Sequence, residues 1–317
     1  MNTNLKFDFD DINLVPRYSI VDSRSECDTS IKFGKYRFKN PVMPANMESV
    51  INEELSIKLS QEGYFYVMHR FNFDSKSFIK KMKELNLVSS ISIGVNEDSY
   101  NLLTELKNEN IIPDYVTIDI AHGHSKKMKR MIKFIKENFG DDIFIIAGNV
   151  SSIEATVDLD KWGADAIKVG VGPGSACTTW PTTGFGSRNI QASIVNQCAS
   201  VTKKHIICDG GIRNPGDISK SIVLGSTMVM VGGMLSAFLD SPGRIVEIDD
   251  VKYKEFYGSA SSRQSNKTSR IEGMVKLNKM KNSTLVEYME YLSECLQSSI
   301  SYGGGNKLTD LYSVKWI

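Results

Sequence analysis

The 317-residue sequence lacks a charge excess of either sign: 38 Lys plus Arg stand against 37 Asp plus Glu, a net charge of +1. That balance argues against a general nucleic-acid binder, which carries a strong basic excess. It leaves room for a small phosphorylated ligand. No apolar run reaches the roughly 20 residues that a membrane-spanning helix needs. The start, Met1-Asn2-Thr3-Asn4-Leu5-Lys6, has no apolar core, so a secretory signal is not expected. Cysteine is sparse: Cys27, Cys177, Cys198, Cys208 and Cys295, with no Cys-x-x-Cys pair. An odd count without metal-ligand spacing argues against a disulfide framework and a structural zinc site. It points to a reducing cytoplasm. Any one of these cysteines could be no more than a small buried apolar residue.

What is present reads as a soluble globular protein, with 41% hydrophobic and 24% charged residues. The length suits two domains of about 150 residues or one eightfold barrel of about 250 with terminal additions. Eight short apolar, β-rich runs follow one another: Pro41–Met47, Tyr64–Arg70, Ser89–Val95, Tyr115–Ala121, Ile143–Val150, Ala166–Gly172, His205–Gly211 and Met228–Gly233. Most begin roughly 25 residues after the last, the length of a strand, a helix and two loops; the sixth-to-seventh gap is longer. Ile143-Phe144-Ile145-Ile146 and Met228-Val229-Met230-Val231 are nearly continuous, as in strands buried on both faces of a parallel sheet. In the segment 126–139, Met128, Met131, Ile132, Ile135 and Phe139 recur every three or four residues, with lysines on the other face. The order predicts an α/β protein, a (β/α)8 TIM barrel in one domain over 1–317. A doubly wound open sheet is the alternative.

The runs end in polar or Gly-rich chemistry: Asn46-Met47, His69-Arg70, the Asp119–His124 stretch, Gly148-Asn149, the Gly170–Cys177 loop, Asp209-Gly210-Gly211 and Gly232-Gly233. In a barrel these converge on one rim, where active sites lie. His122 and His124 have too few companions for a metal site and read as loop residues near the rim. Asp119 is placed to orient a ligand. Two segments fall outside the repeat. Residues 1–40 read as an N-terminal arm. The polar stretch from Ser259 to Thr284 sets Arg263, Lys267, Arg270, Lys276, Lys279 and Lys281 against one acid, Glu272. It is either a solvated loop or a mobile flap over an anionic ligand.

The densest signal is Gly170-Val171-Gly172-Pro173-Gly174-Ser175-Ala176-Cys177-Thr178-Thr179. Such a loop lets backbone approach a ligand closely, or it is a flexible connector. A thiol beside oriented backbone dipoles can act as a nucleophile, which makes Cys177 a candidate. Thr179 could assist proton transfer if another group activates it. Asp209-Gly210-Gly211 and Gly232-Gly233 end the seventh and eighth runs, the usual phosphate site of the barrel, with Asp209 suited to a ribose diol. Two tight turns would read the same way.

These segments carry a resemblance. Ser23-Arg24-Ser25-Glu26-Cys27-Asp28, Pro44-Ala45-Asn46-Met47, the stretch Gly63 to Phe71, Ile118 to Ser125 and Ala147-Gly148-Asn149-Val150 contribute to it, as do the Gly172–Thr179 loop, Asp209 to Arg213, Tyr257 to Ser261 and Ser298 to Tyr302. Over nearly its whole length the chain resembles the IMP dehydrogenase/GMP reductase family, and within it most resembles the GMP reductase branch of Gram-positive bacteria. The family's fold is the same barrel. His69-Arg70 runs straight into the next helix without the regulatory insert (the CBS pair) usual in dehydrogenases, and 259–284 lacks their Arg-Tyr pair.

The resemblance implies reductive deamination of GMP to IMP and ammonia by NADPH, through a covalent Cys177 thioimidate, in purine nucleotide salvage. Thr179 and Glu272 would form the proton-transfer pair. GMP would contact Ser175, Asp209, Gly210, Gly211, Gly232 and Gly233, with its base against Gly258, Ser259, Ala260 and Gly273. NADPH would lie along Arg70, Asp119, Ile120, Ala121, Val171 and Gly172. Ser23 and Arg24 would reach it from a neighbouring subunit, in a homo-oligomer, typically a tetramer. Carbonyls of Gly172, Gly174 and Cys177 would hold a potassium ion. The alternatives are an IMP dehydrogenase without its insert and a purine nucleotide-binding protein without turnover. Three departures from the family pattern stand out. Trp180-Pro181 takes the place of a basic residue whose carbonyl binds potassium, and Pro181 restricts Trp180. Ser187-Arg188-Asn189 replaces small residues, and the flap's basic residues align poorly around Glu272-Gly273.

Overall fold

The computed structural model describes residues 6–258, 260–261 and 272–317. Within the N-terminal arm, β1 (Ile31–Phe33) and β2 (Tyr36–Phe38) form a hairpin. Phe33, fully buried, packs its ring against Phe65, Tyr115, Phe144 and His205. The hairpin therefore closes the floor of the barrel, and the arm is part of the core.

Seven barrel strands follow: β3 (Val42–Pro44), β4 (Ser90–Ile93), β5 (Tyr115–Asp119), β6 (Phe144–Val150), β7 (Ala166–Val169), β8 (His205–Asp209) and β9 (Met228–Val231). They pair in parallel in the order β3-β9-β8-β7-β6-β5-β4. Every residue of β4, β7 and β9 is buried, as in strands covered on both faces of a parallel sheet; in β9 the run is apolar throughout. The sheet curls into an α/β TIM barrel.

The second expected strand behaves differently. Tyr64, Phe65, Tyr66, Val67 and Met68 are buried, but the run forms a stave by one bridge, Met68 to Ile91. The Ser92 amide donates to the Met68 carbonyl at 2.9 Å. The Tyr66 hydroxyl donates to the Val88 carbonyl at 2.7 Å. Bulky aromatic side chains hold this stave by packing where its ladder is short.

The helices are α1 (Glu53–Gln61), α2 (Ser75–Glu84), α3 (Glu97–Asn108), α4 (Lys126–Phe139), α5 (Ile153–Trp162), α6 (Thr179–Thr183), α7 (Gln191–Ala199), α8 (Pro215–Val223) and α9 (Leu285–Tyr302). Side-chain caps fix many of their starts: Asn52, Asp74, Ser125, Ser152, Asn214 and Thr284 each accept an amide of the first turn. On α4 the buried residues are Met128, Met131, Ile132, Ile135 and Phe139, the stripe that the spacing predicts. Among the described residues no helix is long and apolar enough to cross a membrane.

The C-terminal region holds an antiparallel sheet of β10 (Ile245–Ile248), β11 (Val251–Tyr257) and β12 (Val275–Lys279). β12 lies inside the stretch read as a loop or flap without periodicity. Its alternation has reversed polarity: Val275 and Leu277 are exposed, while Lys276 and Asn278 turn inward and line the cavity described below. A period-two pattern with polar residues inward does not look like a strand when only apolar residues are followed.

Candidate active site

The strand tips and the loops after them enclose a cavity of about 650 Å³. At its base, β7 carries one charged residue among apolar ones, Lys168, and only 2% of it is exposed. Its ammonium lies 2.8 Å from an Asp119 oxygen at the tip of β5 and 2.6 Å from an Asp209 oxygen at the tip of β8. Asn149, at the end of β6, donates to the same Asp209 oxygen at 2.8 Å and to the Gly170 carbonyl at 2.6 Å. Burial raises the Asp119 carboxyl, but the Lys168 charge and hydrogen bond, with Arg70 and Asn46, outweigh it and hold the group below its ordinary range. Burial would likewise lower the Lys168 ammonium; the two carboxylates instead hold it above its ordinary value. A charged lysine at this depth is tolerable because it has both partners.

Two glycines let these tips meet. A Cβ on Gly148 would stand 2.6 Å from the Lys168 Cβ, and one on Gly170 (φ +147°) only 2.0 Å from the Asp209 carbonyl oxygen. Side chains at either position would push apart the strands that carry the ion network.

Above this base runs the cysteine loop. It turns at Gly172 (φ +76°), and the Cys177 amide donates to the Gly174 carbonyl at 3.0 Å. The segment beginning at Glu272 returns antiparallel to it: the Thr178 amide donates to the Glu272 carbonyl, and the Met274 amide to the Ala176 carbonyl, both at 2.9 Å. That pairing brings the distant Glu272 into line with Cys177 and Thr179. Cys177 Sγ lies 3.1 Å from Thr179 Oγ1, which donates to Glu272 Oε2 at 2.6 Å. Cys27, Cys198 and Cys208 are buried. Burial pushes the Cys198 thiol up to about 11 and the Cys208 thiol up to about 12, which makes both poor nucleophiles. Cys177 is half-buried and lines the cavity.

The loops after β8 and β9 make a second wall. Gly210 and Gly211 have φ of +87° and +85°. Gly232 and Gly233 lie beneath Phe256, whose ring atoms are 3.2 and 3.4 Å from where a Cβ would stand. At all four positions a Cβ would meet neighbouring protein atoms, so glycine lets these loops pack closely while their backbone lines the cavity. Ser175, Lys276 and Asn278 face the same space.

Against this geometry, the IMP dehydrogenase/GMP reductase domain model matches residues 6–316. The chain belongs to the IMP dehydrogenase/GMP reductase family. It is 51% identical over 311 residues to a GMP reductase of Mesoplasma florum, covering 98% of this chain and 97% of that one. It is 48% identical to a GMP reductase of Mycoplasma mycoides, again over 98% and 97%. Against one of Lactobacillus delbrueckii it is 49% identical over 98% of this chain and 94% of the other.

For a member of this family, the expected site residues are largely gathered in one place. Ser175, Asp209, Gly210, Gly211, Gly232 and Gly233 line the cavity, as do Gly258, Ala260 and Gly273. Arg70, Asp119, Ile120, Ala121, Val171 and Gly172 line it on the other flank. Ser259 lies outside the described residues, as do Arg263, Lys267 and Arg270 of the flap. Ser23 and Arg24 are not brought to the cavity of their own chain: Arg24 sits on an exposed turn and donates to Ser298 Oγ at 3.2 Å. His124 stands apart, bonded to Asp158 at 2.8 Å and stacked on Trp162. Among the described residues no group of three His, Cys, Asp or Glu is placed to hold a metal ion.

Sequence reasoning missed Lys168 as a member of the site, and gave no site role to Arg188, Asn189, Arg213 and Asn278 along the cavity wall; it named Asn149 only as a strand end at the rim and Lys276 only among the basic residues of the flap. A signal for Lys168 was present: a lone charge inside a stave otherwise apolar. Arg213 is already tied to Asp10 at 2.8 Å. The Trp180 carbonyl accepts the Gly184 amide at 2.9 Å and closes α6.

Proposed function

We propose that this chain is a GMP reductase, an oxidoreductase that converts GMP to IMP and ammonia using NADPH, in purine nucleotide salvage. The relatives' names support the reaction. The observation that carries its chemistry is the continuous contact from Cys177 through Thr179 to Glu272.

In this reading GMP lies with its phosphate against Ser175, Gly211, Gly232 and Gly233, and its ribose on Asp209. The base rests against Gly258, Ser259, Ala260 and Gly273. Cys177 sulfur adds to C2 of the purine. Thr179, backed by Glu272, delivers a proton to the exocyclic amine, which departs as ammonia. The C2–N bond is thus exchanged for a C2–S bond, leaving a thioimidate. NADPH, when bound, supplies the hydride that reduces C2. The C–S bond then breaks, IMP leaves and Cys177 is restored. The buried Nε of Arg70, without a partner among the described residues, and the adjoining Asp119 fit a polar dinucleotide on that flank. Ser23 and Arg24 would complete the cofactor site from a neighbouring subunit of a homotetramer. For potassium, Gly172, Gly174 and Cys177 offer hard carbonyl donors on one loop. Five free cysteines suit a reducing cytoplasm.

The test is NADPH oxidation by purified protein with GMP, scored with IMP and ammonia. Equal amounts of all three products are expected, abolished by Cys177→Ala. Thr179→Val should lower kcat by about 10²- to 10⁴-fold while GMP still binds. Absence of turnover with GMP but turnover of IMP with NAD would replace the reading with a dehydrogenase. Tight GMP binding with neither reaction would leave a nucleotide-binding protein.

A further inference from the structure

The loop after β7 carries a feature that the proposed chemistry does not use. Trp180 is 45% exposed although it stands one residue from Thr179. The Arg188 guanidinium lies over its ring, 5.6 Å from the centroid. Arg188 and Asn189 both line the cavity. Arg188 has no ion-pair partner among the described residues. Two other cavity cations differ: Lys168 is neutralised by two aspartates, and Arg213 is tied to Asp10. Arg70 and Lys276 line the cavity as well, but only Arg188 among these cations is stacked on Trp180.

The segment that bears Arg188 is fixed against one flank. Ser187 donates to the Val171 carbonyl through its amide at 2.8 Å and its hydroxyl at 3.3 Å. Gly186 (φ +140°) presses so close that a Cβ there would be 2.6 Å from the same oxygen. An arginine that is stacked on an aromatic face and pinned at its backbone has already given up much of its rotamer freedom. Its charge stays available to a ligand. The ligand must be anionic and must lie beside Val171 and Gly172. The Gly211/Gly232/Gly233 wall, where the mononucleotide phosphate is placed, belongs to the loops after β8 and β9.

We propose that Arg188, braced by Trp180, recognises a phosphate of the dinucleotide and helps set its affinity. This rests on the proposed reductase reading and adds a specificity residue to its cofactor site. The chemistry could be that of the pyrophosphate or of the 2′-phosphate; both belong to NADPH, and NADH carries only the first.

The test compares Arg188→Met, Arg188→Lys and Trp180→Leu with the wild type by calorimetric binding of NADPH, NADH and GMP, and by steady-state KM and kcat. All substituted side chains are exposed, and unchanged melting temperatures check the fold. Arg188→Met should weaken NADPH by roughly tenfold, the scale of one charge-assisted hydrogen bond. GMP affinity should stay within about twofold. Arg188→Lys should restore part of the loss, and Trp180→Leu should produce a smaller loss of the same sign. Equal weakening of NADH assigns the contact to the pyrophosphate, and unaltered NADH to the 2′-phosphate. Unchanged dinucleotide affinity in Arg188→Met, or a loss confined to GMP, overturns the proposal. Wild-type turnover in the same series tests the reductase reading separately, so an active wild type with an indifferent Arg188→Met sinks the inference alone.

Discussion

At the scale of single residues, the consequential side chain is Lys168. It neutralises the carboxylates expected to meet two different ligands, Asp119 and Asp209. Lys168→Met should lower unfolding stability at pH 7 by about 3–5 kcal/mol, the cost of leaving buried partners uncompensated. The pH dependence carries the sign. In the wild type the Asp119 carboxyl is held below its ordinary value. Its contribution is present above the unfolded pKa of about 3.9 and is lost as pH falls through the lower folded value. In Lys168→Met, burial is left as the larger influence and raises that carboxyl, so acidification from pH 7 should stabilise the variant relative to neutrality. Urea midpoints from pH 7 down to about pH 3 check this: for the wild type a fall confined to pH below about 4, and for the variant a rise on acidification from pH 7, are expected, and parallel curves would refute the linkage. The sequence reading named Asp119 and Asp209 because they end strands. It missed the lysine because a charge in an apolar run reads as noise until its partners come within reach.

At the scale of elements, the site depends on strand tips that approach more closely than side chains allow. Gly170 has φ +147° and no room for a Cβ beside the Asp209 carbonyl. Gly170→Ala should cost roughly 2–4 kcal/mol from backbone strain and overpacking together. It should also lower GMP affinity, because the carbonyl it displaces belongs to the expected ribose residue. Thermal unfolding and GMP titration of the same sample measure both; a stable variant with intact affinity would show that the tips can separate without harm. The returning segment illustrates the limits of pattern reading. β12 was invisible because its polar residues face a cavity, and Glu272 was identified through resemblance while its place followed from backbone pairing to the cysteine loop.

At the scale of the whole molecule, the barrel brings its strand ends to one rim and the hairpin of the arm seals its floor. The exposed position of Arg24 gives the oligomer proposal a direct check. If Arg24 serves a neighbour's cavity, Arg24→Ala should raise the KM for NADPH about tenfold, the scale of one lost charged contact, without changing the molar mass measured by light scattering. An unchanged KM would remove Ser23 and Arg24 from the cofactor site.

The sequence by itself determined the eight β/α units, the amphipathic helices between them and the Gly-rich chemistry at the strand ends. Those properties are local: periodicity, caps and glycine spacing act within a few residues. Only the tertiary structure decided that Tyr64 to Met68 is held more by packing than by a ladder. It alone placed Thr179 between Cys177 and Glu272, residues 95 positions apart at the two ends of that contact. It also joined Trp180 to Arg188 and set Lys168 between two aspartates. Such contacts depend on distances across the rim, which chain order does not encode position by position, and on the removal of water that makes a buried charge need its partners.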